Sequence, residues 1–150
     1  MNIDELTRLL NKLDTTSLVL LFLLLTAMLI ANILYFRTLQ RTMGTISPEL
    51  RPLAPAMIWL ALLPILGLFW YMAYIVMLSI GLQKELAKRK MPGNGAITIT
   101  MATVILSAMC LIPAIQQAVV PATMVFWAVH WQRMALHYKV LAEPEYLLVE

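Results

Sequence analysis

Charge is what this sequence most lacks. Only 13% of its 150 residues are Asp, Glu, Lys or Arg, against about 25% in ordinary soluble domains. The deficit is concentrated in residues 15–36, 52–83 and 91–132, which carry no charged side chain and make up 96 of the 150 positions. About 20 apolar residues suffice to cross a hydrocarbon core about 30 Å thick. A water-soluble enzyme is excluded, and the chain reads as a polytopic membrane protein.

Other scarcities narrow the chemistry. One cysteine, Cys110, excludes an intramolecular disulfide and any thiolate-rich metal site. Eleven basic against eight acidic residues give +3, too small and dispersed for a nucleic-acid footprint. The first three expected spans, 15–36, 56–82 and 96–112, hold no Asp, Glu, Lys, Arg or His. That excludes a carboxylate active site within the membrane and argues against an ion-coupled transporter, which needs a titratable site there. No catalytic or cofactor motif occurs, so the chain is expected to be no enzyme and to carry no cofactor. Eleven methionines are scattered without a metal-binding cluster and read as apolar filler.

What is present reads as helix. Residues 15–36 form the first span, with Asp14 or Thr15 as N-cap. Upstream, Ile3, Leu6, Leu9, Leu10 and Leu13 recur at helical spacing, which predicts a short amphipathic interfacial helix over 1–14. The acidic residues there do not fit a cleaved signal. Residues 56–82 read as one long second span, kinked at Pro64 because proline removes the hydrogen bond to the Leu60 carbonyl. The 42 uncharged residues from 91 to 132 are too long for one crossing. They form a hairpin, with span three at 96–112, a turn near Ile115–Ala118 and span four at 121–138. The expected fold is all-α, a single membrane domain of four transmembrane helices with a tail over 139–150.

Orientation follows from the basic residues. With four alternating spans, the N-terminus, residues 84–90 and the C-terminus share the more basic side, which places both termini in the cytoplasm. Arg37, Arg41 and Arg51 fall on the opposite side in this scheme. Lys84, Lys88, Arg89, Lys90 and Arg133 are the expected anchors to anionic head groups. The sequences Pro64–Trp70 and Pro121–Trp127 share the pattern P-x4-F-W, which a duplicated hairpin or coincidence explains equally.

Two polar features stand out in the apolar background. Thr100, Thr103 and Ser107 recur at helical spacing on span three, a seam where small residues and hydroxyls let helices approach. His130 lies near mid-membrane on span four, with Arg133 one turn nearer the cytoplasm. A buried histidine invites a haem, pigment or relay reading, yet the first three spans offer no second histidine. The favoured reading is structural: His130 bonds to Thr103 or Ser107, and Arg133 reaches to head groups.

A resemblance accompanies these residues. Ile46-Ser47-Pro48-Glu49-Leu50-Arg51-Pro52, then Trp59–Trp70 with its W-x4-P-x5-W spacing, the basic end at Gln83–Leu86, Leu111-Ile112-Pro113 and Phe126–Trp131 form one series. Over about residues 45–140 it resembles a family of small bacterial four-span membrane proteins of unknown function. It departs from the family at Gly67, where Asn is frequent, and at His130, where Tyr is. The resemblance implies a bacterial inner-membrane bundle and no activity. The expected role is therefore a structural or accessory subunit, partnered by lipids and by other membrane subunits or copies of itself. A carrier for a neutral solute and a pigment- or electron-transfer subunit using His130 remain the alternatives.

Overall fold

The computed structural model describes residues 14–64 and 66–142, so all but Asp14 of the interfacial helix expected over 1–14 lies outside the described residues, as does the tail expected over 139–150 except for 139–142, which continue the last helix. The described residues contain only helices, and no strand. They are α1 (Thr15–Gly44), a 3-10 helix (Pro55–Leu62), α2 (Leu66–Lys88), α3 (Ile97–Met109) and α4 (Gln116–Ala142). Two of these, α1 and α2, are long and apolar enough to cross a membrane. The chain divides into two compact units, one ending at Tyr35 and the other beginning at Phe36.

The first unit is the N-terminal part of α1. Asp14 caps it by accepting a hydrogen bond from the Ser17 N–H at 3.1 Å, satisfying one of the four donors that a helix start leaves open. Hydrogen bonding by the Ser17 side chain, and next by its N–H, holds the Asp14 carboxyl below the usual range. None of the most apolar 18-residue window of α1 is buried.

The second unit corrects the sequence reading of span two. Residues 56–82 are not one kinked helix. The chain climbs through the 3-10 helix, whose eight residues rise about 16 Å. It turns at Leu63 and Pro64 and descends as α2. Three contacts fix the reversal. Trp70 Nε1 donates to the Met57 carbonyl at 2.7 Å, Tyr74 Oη donates to the Pro55 carbonyl at 3.0 Å, and Gly67 abuts the Ala61 backbone. In a continuous helix residues 55 and 74 would stand about 28 Å apart. Pro64 therefore ends one arm of a hairpin, where Leu66 N–H reaches its carbonyl at 2.7 Å.

The reversal also changes which segments meet. The 37–51 stretch and residues 84–90, expected on opposite sides of the membrane, are hydrogen-bonded to each other. Three helices end together here. Arg89 lies at the end of α2 and donates to the Leu141 carbonyl of α4 at 3.0 Å and to the Thr45 carbonyl just after α1 at 3.3 Å. α1, α2 and α4 thus run parallel at this end, and α3 runs against them.

The remaining boundaries also shift. α3 and α4 form the expected hairpin, but its turn is residues 110–115. Pro121 lies inside α4 and not before it, so the two P-x4-F-W segments occupy different structural settings. The core of this unit runs from the shared end up to the 3-10 arm. Leu39, Met43, Ile46, Ile58, Tyr74, Ile75, Leu78, Leu82, Leu86, Met134 and Leu141 are all buried.

Candidate functional site

The polar interior begins with α3. Gly95 adopts φ +61°, and any Cβ on it would lie 2.4 Å from the Ser79 carbonyl oxygen and 2.6 Å from the Gln83 nitrogen. Only glycine lets the start of α3 press this closely on α2. The approach brings Thr100 of α3 beside Ser79 of α2, their hydroxyl oxygens 2.6 Å apart. On the other side, His130 Nε2 of α4 lies 3.1 Å from the same Thr100 oxygen. All three side chains are fully buried.

The Thr100 hydroxyl also lies 3.0 Å from the Ala96 carbonyl, which can only accept. With one proton and two lone pairs, a threonine hydroxyl can serve all three neighbours at once, donating to one and accepting from two. The hub joins α2, α3 and α4 through hydroxyls and one imidazole.

His130 finds a hydroxyl on α3, but the partner is Thr100 and not Thr103 or Ser107. Thr103 is buried and turns its hydroxyl to the Ile99 carbonyl of its own helix at 2.8 Å. Ser107 is buried on the same face. Cys110 shares a hydrogen bond with Thr123 across the α3–α4 pair at 3.2 Å. Among the described residues no group of three or more His, Cys, Asp and Glu side chains is placed to hold a metal ion.

The second polar constellation is the shared helix end. Glu85 is 1% exposed. Its carboxylate accepts from the Ser47 N–H at 3.0 Å, the Ser47 hydroxyl at 3.1 Å and Arg89 Nε at 2.7 Å. A carboxylate this buried needs such a full set of partners. Lys88 pairs with Glu49 and reaches the Ser47 hydroxyl, and the ammonium holds the Glu49 carboxyl below its usual range. Arg51 donates to the Gly44 and Ile46 carbonyls at 3.0 and 2.8 Å, closing the open end of α1.

The expected lipid anchors therefore separate. Lys88 and Arg89 serve the protein's own packing. Lys84, Lys90 and Arg133 are exposed, and among the described residues their side chains make no ion pair or hydrogen bond. Ser47, Ser79, Arg51 and Glu85 were not singled out from sequence. Glu85 alone left a signal, as an acidic residue four positions before Arg89 in an otherwise basic run.

No family model matches the chain, and neither a curated protein nor a solved structure does.

Proposed function

We propose that this chain is a non-catalytic integral membrane protein, an assembly subunit that binds lipid and other membrane subunits or copies of itself. One observation carries the reading. The apolar window of α1 is wholly unburied, with Leu20, Phe22 and Leu24 between 59% and 69% exposed. A row of large side chains this open has no place in water, and its length fits a bilayer. The interior supports the same role, because the Ser79–Thr100–His130 hub presents hydroxyls already engaged with one another and with the Ala96 carbonyl.

The orientation differs from the alternating scheme. Nine of the eleven Lys and Arg residues lie from Arg37 onward, in or beside the segments that meet at the shared helix end. Arg8 and Lys12 precede α1. The positive-inside rule then puts the shared end, including the end of α4, in the cytoplasm, and the start of α1 outside. The second membrane segment is a re-entrant arm followed by α2.

Carbonate extraction and cysteine labelling test this in a Cys110→Ala background. The chain should stay with the membrane. Cysteines at Glu49 and Asn94 should resist an impermeant maleimide in intact cells and react in inverted vesicles, while one at Asp14 should do the reverse. Opposite labelling of positions 49 and 94 would overturn the topology. Release by carbonate would overturn the membrane assignment, and purification in mild detergent as a partner-free monomer would overturn the assembly role.

A further inference from the structure

The first unit carries a pattern that lipid alone does not explain. Leu18, Leu21, Leu25, Met28, Asn32, Tyr35, Leu39 and Thr42 follow one another along α1 at alternating steps of three and four. This is the a/d spacing of a helix seam that packs against another helix. From Tyr35 to Thr42 the seam is in use: Tyr35, Leu39 and Thr42 are buried. From Leu18 to Asn32 the same row is uncovered, with Leu18, Leu21, Leu25 and Met28 between 39% and 56% exposed.

Asn32 says what should cover it. It lies about 25 Å along an apolar run of about 33 Å, still inside the hydrocarbon by length. Its Nδ2 donates to the Met28 carbonyl of its own helix at 2.9 Å. Among the described residues nothing donates to its Oδ1. Lipid tails offer no donor. An amide carries both a donor and an acceptor, so two asparagines facing each other satisfy both. Copies of one chain insert in the same direction, and a two-fold axis along the membrane normal sets each seam residue against its own counterpart. A polar residue at one a position is also a known way to fix register and partner number.

We infer that the Leu18–Asn32 face of α1 is a homodimer interface in which the Asn32 amides of two parallel copies pair within the membrane. The inference rests on the membrane reading above and narrows the partner to a second copy of this chain. Side chains opposite the seam, such as Leu23 and Ile30, face lipid.

Single cysteines in the full-length chain, in native membranes and on the Cys110→Ala background, test it. Under mild oxidation, cysteines at Leu21, Leu25 and Met28 should give a disulfide-linked species of twice the chain mass, and cysteines at Leu23 and Ile30 should not. Asn32→Leu should weaken self-association about tenfold, with Asn32→Gln retaining most of it. Loss of two interhelical bonds, each of the modest strength measured in membranes, gives that factor. Equal cross-linking on both faces, or none at the seam positions, would overturn the interface. Cross-linking of the seam to a different protein would overturn the second copy as partner. Asn32→Leu without effect would overturn the amide pairing. A chain released from membranes by carbonate would fail the membrane reading itself, a result separate from all of these.

Discussion

Gly67→Ala distinguishes a hairpin from a kinked helix by the sign of its effect. In a continuous span, replacing a mid-helix glycine by alanine stabilises by about 1 kcal/mol, because alanine is the better helix former. In the hairpin the new methyl carbon would lie 2.1 Å from the Ala61 carbonyl oxygen and 2.8 Å from its carbon, both backbone atoms. The 3-10 arm must move by about 1 Å, and overpacking of this kind costs about 1–3 kcal/mol. The shift also strains the bonds from Trp70 to Met57 and from Tyr74 to Pro55, each worth about 0.5–1.5 kcal/mol net. Against the helix-propensity gain, the balance is a loss of about 2 kcal/mol. Scaled as for soluble chains of this size, that lowers the melting temperature by about 4–8 °C. Thermal unfolding in a mild detergent, followed by tryptophan fluorescence, measures it. Gly44→Ala serves as control, since nothing lies within 4 Å of a Cβ there. A Gly67→Ala protein as stable as the parent, or more stable, would refute the hairpin.

Two further substitutions probe the helix ends and the buried hub. Lys90 closes α2 with φ 56°, while Met91 N–H reaches the Leu86 carbonyl at 2.9 Å and Lys90 N–H the Ala87 carbonyl at 3.1 Å. That double bond pattern favours glycine at the left-handed position, so Lys90→Gly should raise stability by about 0.5–1 kcal/mol, read as a higher melting temperature; a decrease would count against the motif. His130→Phe removes one bond to Thr100 and puts a somewhat larger ring in its place, and interhelical bonds in membranes average about 0.6 kcal/mol. The variant should stay folded and membrane-bound with a small loss of thermal stability, and a collapse of several kcal/mol would show that the hub carries more than packing.

The sequence made the helices legible and hid their directions. The uncharged runs identify α1, and Asp14 announces its start. The hydroxyls at Thr100, Thr103 and Ser107 mark the buried face of α3. The 56–82 run failed because continuous apolar composition reads alike whether the backbone continues or folds back. Pro64 signals a break, but proline accommodates a kink and a reversal equally. What decides is Gly67 meeting Ala61, with Trp70 and Tyr74 donating to carbonyls 13 and 19 residues earlier. Periodicity carries no information about such pairs. The partner of His130 was misplaced by one turn for a related reason. Equal rise from the Cys110–Thr123 contact points to Thr103, whereas the relative tilt of two packed helices depends on how their ridges interlock.

The corrected direction of α2 accounts for where the charges fall. An α-helix ends with unsatisfied carbonyls and a partial negative charge. Alternating antiparallel spans would distribute those ends over both surfaces. Here the 3-10 arm folds back against α2, so α1 and α2 end side by side, and α3 restores the same direction to α4. Three negative helix ends gather on one surface. Arg51 reaches the carbonyls at the end of α1 and Arg89 the carbonyl near the end of α4. A guanidinium suits this place, since its rigid fork serves several acceptors at once. Arg89 shows it by bonding Glu85, Thr45 and Leu141 together. Lys84 and Arg133 stay exposed beyond these contacts, and under the proposed membrane reading they face the head groups. Under the proposed orientation the same surface is the cytoplasmic one, so the arrangement that neutralises the helix ends also supplies the charge bias that orients the chain.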